Sequence, residues 1–446
     1  APRAARARED LEAGRARTAL LVEPLATEER PSWRDLATRI TVDFSPLRDY
    51  PDYRRLWIGQ AVTFVGAEMA LVALPFQIWQ LTHSTLALGL FSLTELIPLL
   101  TLTLVGGAVA DAIDRRRMVL VTETLQAVGV VGLLVNAAFP HPSIVAVFAF
   151  ATVVAACFSA GVGGMRSLPQ RLLPEEVYAQ AGALDSIYYG LGGVAGPALA
   201  GVIIGAAGLP AVYAIGTASF AATVVALWGL PPMPPHPDAD RPGIRSIMEG
   251  FRFVSREKVI LGFFLVDTNA MVFGMPLALF PAIAAHFGDP TLVGYLYSAP
   301  AAGALIAGIG SGWVAHVRRQ GLVVVAAASL WGVAILGFAY ADRFWLALVL
   351  VGLAGLADQV SAIFRNAMLL ALTPDRLLGR VRGIEFMQVA SAPSLGNLEA
   401  GVVASLTSIR TSVASGGLLC VAGTLASAAA FPALLRYEAK RRAADA

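Results

Sequence analysis

Apolar runs of about twenty residues follow one another along most of this chain, each ended by a short polar or Gly/Pro break. A helix needs about 20 such residues to cross about 30 Å of hydrocarbon. Inside lipid every backbone N–H and C=O must find its partner within the protein, which selects helices for segments of this kind. Hydrophobic residues make up 57% of the chain and charged ones only 14%, against about 25% charged in an ordinary globular domain. The pattern predicts an all-α membrane protein with twelve spans, at residues 56–79, 85–110, 118–139, 144–164, 179–206 and 210–230, then 259–283, 291–315, 322–340, 344–364, 383–406 and 411–435.

The spans divide into two sets of six. Residues 1–45 read as a tail in which Trp33, Leu36 and Ile40 recur at helical spacing, as in a helix lying on a membrane surface. Residues 46–230 form a first bundle and 259–435 a second, with a linker at 231–258 and a second tail at 436–446. The linker opens on PPMPPHPDADRP, which cannot be helical, and then places Ile247, Phe251 and Val254 on one face of an amphipathic segment. Shifted by 200 residues, Pro174 falls on Pro374, Asp185 on Glu385, Gly196 on Gly396 and Gly201 on Gly401; a shift of about 205 brings Gly107 onto Gly312. Two pseudo-symmetric six-helix bundles follow, and parallel repeats of this kind place a binding site between them near the bilayer midplane.

Basic loops next to spans are retained in the cytoplasm. Of the 33 Lys and Arg, only Arg343 and Arg410 fall on the face opposite the termini. Both termini are therefore expected in the cytoplasm, with the protein in the plasma membrane. So uneven a distribution accounts for the net charge of +2 and gives no reason to invoke nucleic acid. Cys157 and Cys420 fall inside spans, and the five His form no metal-ligand spacing, so neither a disulfide framework nor a metal is expected. Residues 1–45 lack the apolar core of a secretory leader. No Gly-rich loop ends in Lys-Ser or Lys-Thr to hold ATP, no cofactor is implied, and no nucleophile–base pair suggests an enzyme.

Between the second and third spans stands GGAVADAIDRRR, residues 106–117. Its Gly107, Asp111, Arg115 and Arg116, with Gly106, Ala110 and Asp114, resemble the signature loop of the major facilitator superfamily of secondary transporters, most closely the branch of macrolide efflux proteins and enterobactin exporters. The resemblance covers residues 46–435. It implies the major facilitator fold and a cytoplasmic latch, in which Gly107 allows close approach and Asp111 accepts hydrogen bonds from the start of span eleven, near Gly383 here. Asp114, Arg115, Arg116 and Glu385 belong to the same region. The basic residue usual after the acid is replaced by Ala112, so the latch is expected to be weaker or to use Arg115. In span five, GGVAGPALAG carries Gly192, Gly196, Pro197 and Gly201. It resembles the pattern of proton-driven exporters, with Ala200 in place of a second glycine, and reads equally as plain helix packing.

Five acids fall well inside predicted spans: Glu68, Glu95, Asp267, Asp358 and Glu399. Inserting each in charged form costs at least about 2.5–3.5 kcal/mol, and loss of water disfavours the ionised carboxyl, which makes these the candidates for carrying protons or meeting a cationic substrate. In the superfamily, spans one, four, seven and ten face the central cavity, which implies Glu68, Asp267 and Asp358 in particular. Arg365 is read as an anchor at the cytoplasmic end of span ten, and Phe64, Phe76, Phe263, Phe264 and Phe273 as candidate cavity lining.

The leading expectation is a monomeric, proton-coupled exporter of amphipathic small molecules, of drug, macrolide or siderophore type, working by alternating access among membrane lipids. Two alternatives stay open: an uptake symporter or facilitator of the same fold, and a non-transporting membrane sensor or scaffold.

Overall fold

The structure, a computed structural model, describes residues 43–234 and 244–439. The expected surface helix at Trp33, Leu36 and Ile40 lies outside the described residues, as do parts of the linker and the second tail. Ten helices among the described residues are long and apolar enough to cross a membrane. One of them holds two spans, and a further helix supplies the one that hydropathy alone passes over.

Span one is Pro51–Thr82, with proline in its first turn and His83 in the left-handed region at its end. Span two is Thr85–Phe91 continued by Leu93–Ala112; span three is Arg115–Ala138 and span four Ile144–Ser167. Spans five and six share Tyr178–Trp228, broken at Gly208, whose φ of 79° is a conformation glycine adopts without strain. The linker helix is Ile244–Arg256. Span seven is Lys258–Phe273, resumed at Phe280–His286 after a break containing Gly274 and Pro276. Span eight is Val293–Ile309, span nine Gln320–Phe338, span ten Phe344–Leu372, span eleven Asp375–Leu406 and span twelve Ile409–Ala430. Ser84, Asp114, Ser143 and Ser408 cap spans two, three, four and twelve by accepting from the backbone N–H three residues on.

Helices outrun the hydropathy that announces them. Span ten continues to Leu372 instead of stopping at 364, and span eleven begins at Asp375, eight residues before Gly383. The extra turns carry Asp375, Arg376, Arg380 and Arg382, and the leading acid suits a helix N-terminus. Span eight is shorter than expected: after Gly310 the chain tightens into the 3-10 helix Ser311–His316.

Each half repeats one packing scheme: span one lies along the span five–six helix as seven lies along eleven and twelve, and three and four pair as nine and ten do. The halves meet where span two crosses eleven and span five crosses eight. Leu56, Tyr213 and Phe364 are fully buried in the halves, whereas Ile97, Val128, Val225 and Ile306 stand exposed on the rim, as a hydrocarbon surround requires. In the linker helix Val254 is buried in the second half while Phe251 is exposed. The two thus differ in burial along the face the sequence assigns them, and the side chain of Ile247 lies outside the described residues.

Candidate functional site

The most polar point of the second half is assembled from spans seven, ten and eleven. Asp267 on span seven is 4% exposed and forms an ion pair with Arg365 of span ten, itself 7% exposed. The other arm of the same guanidinium lies 3.7 Å from Asp358, one helical step of seven residues earlier. From span eleven, Gln388 donates through Nε2 to Asp267 Oδ2 at 2.9 Å and to the Phe264 carbonyl at 3.3 Å. One helical turn nearer the arginine-rich start of span eleven, Glu385 accepts from Arg382 at 2.7 Å, and Arg382 also bonds Asn366. One buried cation thus faces two carboxylates, Asp267 buried and Asp358 partly exposed, with a polar track leading from it toward one end of the molecule.

This corrects the reading of Arg365 as an end anchor. Span ten runs two turns past it, so the residue sits inside the bundle. Seven residues separate Arg365 from Asp358 by about 10 Å of helix axis, but side chains lean toward the helix N-terminus, and the long arginine closes the gap.

In the first half a cavity of about 290 Å³ is lined by Glu95, Gln126, Ser159 and apolar groups including Phe91, Phe158 and Phe220, with Ala390 and Ser394 of span eleven forming its far wall. Gln126 donates to the buried Glu123 at 3.2 Å. Glu95 also borders a chamber of about 50 Å³ between the halves, beside Tyr297 and Asn397. The superfamily pattern favoured Glu68 here, but Glu68 is half-buried beneath Gly196 of span five, where an added Cβ would come within 2.6 Å of the Glu68 Cβ. Glu399 is half-buried on span eleven. Neither Glu68 nor Glu399 has a hydrogen-bond or ion-pair partner among the described residues. The aromatic lining differs as well: Phe76, Phe263 and Phe264 are core, and Phe64 stacks edge-on against Tyr188 and Tyr189.

Beyond the small chamber the molecule is shut. An added Cβ on Gly89 of span two would lie 3.0 Å from the Gly401 Cα of span eleven, and one on Gly201 of span five 3.1 Å from the Gly294 Cα of span eight. Ser298 Oγ donates across the same seam to the Val194 carbonyl at 2.8 Å. At the other end of these four helices Gly107, Gly182, Gly308 and Gly383 face open space. The halves therefore part at the arginine-rich end, where Arg166 over the Phe386 ring, at 4.1 Å, remains as a contact between them.

The glycine pattern of span five serves both kinds of packing: Gly192 and Gly196 lie on span one, and Gly201 lies on span eight, with Gly294 against the Pro197 carbonyl. The signature loop engages its own half. Asp114 accepts from the Arg117 N–H at 2.9 Å and the Met233 N–H at 2.7 Å, and Arg116 donates to the carbonyls of Leu227 and Trp228 at 2.7 Å each. The Arg115 N–H donates to the Met233 carbonyl. Through these bonds the loop fastens the end of span six and the start of the linker. The side chain of Asp111 lies outside the described residues. Asp185 accepts from the Tyr53 hydroxyl at 3.4 Å within the first half, and no three His, Cys, Asp or Glu converge as a metal site among the described residues.

Two six-helix halves in a membrane, joined at one end and parted at the other around an acid-bordered cavity, define a transporter of the major facilitator fold. The chain belongs to the transmembrane secretion effector family, whose sequence model matches residues 41–444; proteins of this family are transporters, not enzymes. It is 29% identical over 386 residues to the enterobactin exporter EntS of Shigella boydii, covering 86% of this chain and 93% of that one, and 28% identical over the same length to EntS of Escherichia coli. Among solved structures the nucleoside transporter NupG superposes with a TM-score of 0.65 at 15% identity, over 86% of this chain and 98% of that one. The protein is thus an integral membrane transporter acting on small molecules.

Proposed function

We propose that the protein exports an amphipathic small molecule from the cytoplasm in exchange for protons. The observation that carries this reading is the single guanidinium of Arg365 set between Asp267 and Asp358. Two carboxylates share one cation, so one negative charge within the bundle is not fully balanced; Asp358, only partly exposed and 3.7 Å from the shared guanidinium, is where a proton is the natural way to balance it. Each proton entering the cell yields about 2.3 kcal/mol per 100 mV, enough for a tenfold or larger solute gradient.

Cargo enters from the arginine-rich end, taken as cytoplasmic because basic loops are retained there, and settles in the apolar cavity against Glu95. Rocking of residues 46–230 against 259–435 then closes that end and opens the other. In the closed state Gly107 and Asp111 meet the start of span eleven as a latch. The EntS relatives are named for enterobactin; the mostly apolar lining with one carboxyl suits part of an amphipathic cargo of drug, macrolide or siderophore type. A monomer within the plasma-membrane lipid suffices for this cycle.

The test is proteoliposomes holding a pH-sensitive dye, given a panel of macrolides, cationic dyes and catecholates. Cargo and protons are expected to move in opposite directions. D267N and D358N are expected to abolish the proton movement, and E95Q to weaken cargo uptake into the cavity. Co-directional movement would make the protein a symporter, and cargo flux indifferent to all three substitutions would overturn the reading.

A further inference from the structure

The shut end of the molecule carries a pocket apart from the cargo route. About 270 Å³ in volume, it lies between the end of span seven, the end of span nine and the start of span twelve. Ile283, Phe287, Phe338 and Val413 form its apolar walls, and His286 and Arg410 stand at its rim.

Two facts make the rim unusual. Arg410 is one of only two basic residues on this face of a chain with 33, so it stands against the distribution that governs all the others. The internal repeat also builds the pocket twice. At the ends of spans one, three and six a cavity of about 240 Å³ is lined by Gln77, Gln80, Ala137 and Pro210, with no charged side chain. Where the first half places the neutral Gln80, the second places His286, and Arg410 joins it. Arg410 has Asp342 at 3.7 Å, a carboxylate 88% exposed, and the Tyr340 ring at 5.7 Å. A water-exposed pair at that distance contributes little and leaves guanidinium donors available to a ligand.

We propose that this pocket binds an anionic amphiphile: a phosphate or carboxylate head group on Arg410 and His286, with the first part of its chain against Ile283, Phe287, Phe338 and Val413. A guanidinium beside an apolar cleft suits such a head group because it donates in a planar fork matched to carboxylate and phosphate oxygens. The volume suits a head group and the start of a chain, and the basic rim of Arg410 and His286 sets this site apart from the cavity at Glu95, whose charged lining is a carboxyl. The same chemistry is offered by an anionic bilayer lipid and by a free fatty-acid-like solute.

The experiment is native mass spectrometry of the full chain in neutral detergent, titrated separately with phosphatidylglycerol, phosphatidylcholine of the same acyl chains, and decanoate. One phosphatidylglycerol, one decanoate, or either in competition is expected to bind at least about tenfold more tightly than phosphatidylcholine. Phosphatidylglycerol alone identifies the bilayer as the source, decanoate alone a solute, and both the shared head-group chemistry. R410Q and H286Q are each expected to lower that preference severalfold, R410K, which keeps the charge without the planar fork, to retain only part of it, and Q80A to leave it unchanged. Because anionic lipid also meets the arginines of the opposite end, dependence on Arg410 and His286 is the deciding readout. Equal binding of phosphatidylcholine, or anion binding unchanged in both R410Q and H286Q, overturns the proposal.

Discussion

Gly89 of span two and Gly401 of span eleven touch backbone to backbone across the two halves; an added Cβ on Gly401 would lie 2.5 Å from the Gly89 Cα. The repeat supplies a second such contact, Gly201 on Gly294, in which each glycine is the counterpart of one in the first pair. Closure at this end therefore depends on four positions without side chains. G89V or G201V is expected to cost about 1–3 kcal/mol of overpacking in the conformation described here, shifting the balance about 5–150-fold toward opening at this end. Thiol labelling of a cysteine placed at Ser92, below the seam, is expected to speed up in both variants. G308A, whose added Cβ meets open space, is expected to leave the labelling rate unchanged.

Arg365 is expected to be needed for the fold as well as for coupling. R365Q leaves Asp267 buried without its cation, and breaking a buried pair from one side costs about 3–5 kcal/mol. A large drop in the thermal midpoint of the detergent-solubilised protein should follow. R365Q/D267N removes both charges and should recover most of that stability, while proton exchange in proteoliposomes stays lost. Recovery of proton exchange in the double variant would show that the pair serves packing alone.

The architecture was legible because lipid imposes a single rule on every span, and the rule is written in hydropathy. What escaped was contact between distant spans. Asp267 and Arg365 are separated by three span ends, and periodicity says nothing about which faces meet. The clue is Arg365 itself, a lone arginine just past the apolar part of span ten; hydropathy ends that span at 364, whereas the helix runs on to Leu372 and keeps the arginine inside the bundle. Glu95 was one of five similar acids in sequence, and only the crossing of spans two and eleven sets it at the border of two cavities. The loop at Gly106 to Arg117 could be recognised, but its hydrogen bonds to Leu227, Trp228 and Met233 could not, since spacing along one loop does not tell which span end it lies against.

Asp114 and Arg116 together secure the junction of span three, span six and the linker. D114A removes a helix cap, worth about 0.5–2 kcal/mol, and also the acceptor of the Met233 N–H. R116A leaves the last carbonyls of span six without that donor. Both variants are expected to lower the thermal midpoint and to raise proteolysis in the linker after Met233. Asp114→Asn, which keeps an acceptor, should fall between D114A and the unaltered chain. Unchanged linker proteolysis in D114A would mean that the loop does not hold the linker.

The membrane orientation expected from the charge distribution can be measured independently of transport. With Cys157 and Cys420 replaced by serine, a cysteine at Asp289 lies in the exposed turn between spans seven and eight, and one at Arg117 lies at the start of span three on the opposite end. If basic loops are retained inside, an impermeant maleimide added to intact cells is expected to label the cysteine at 289 and to spare the one at 117 until the membrane is opened. Labelling in the reverse order would turn the molecule over. The cavity at Glu95 would then open outward, and the same geometry would read as uptake.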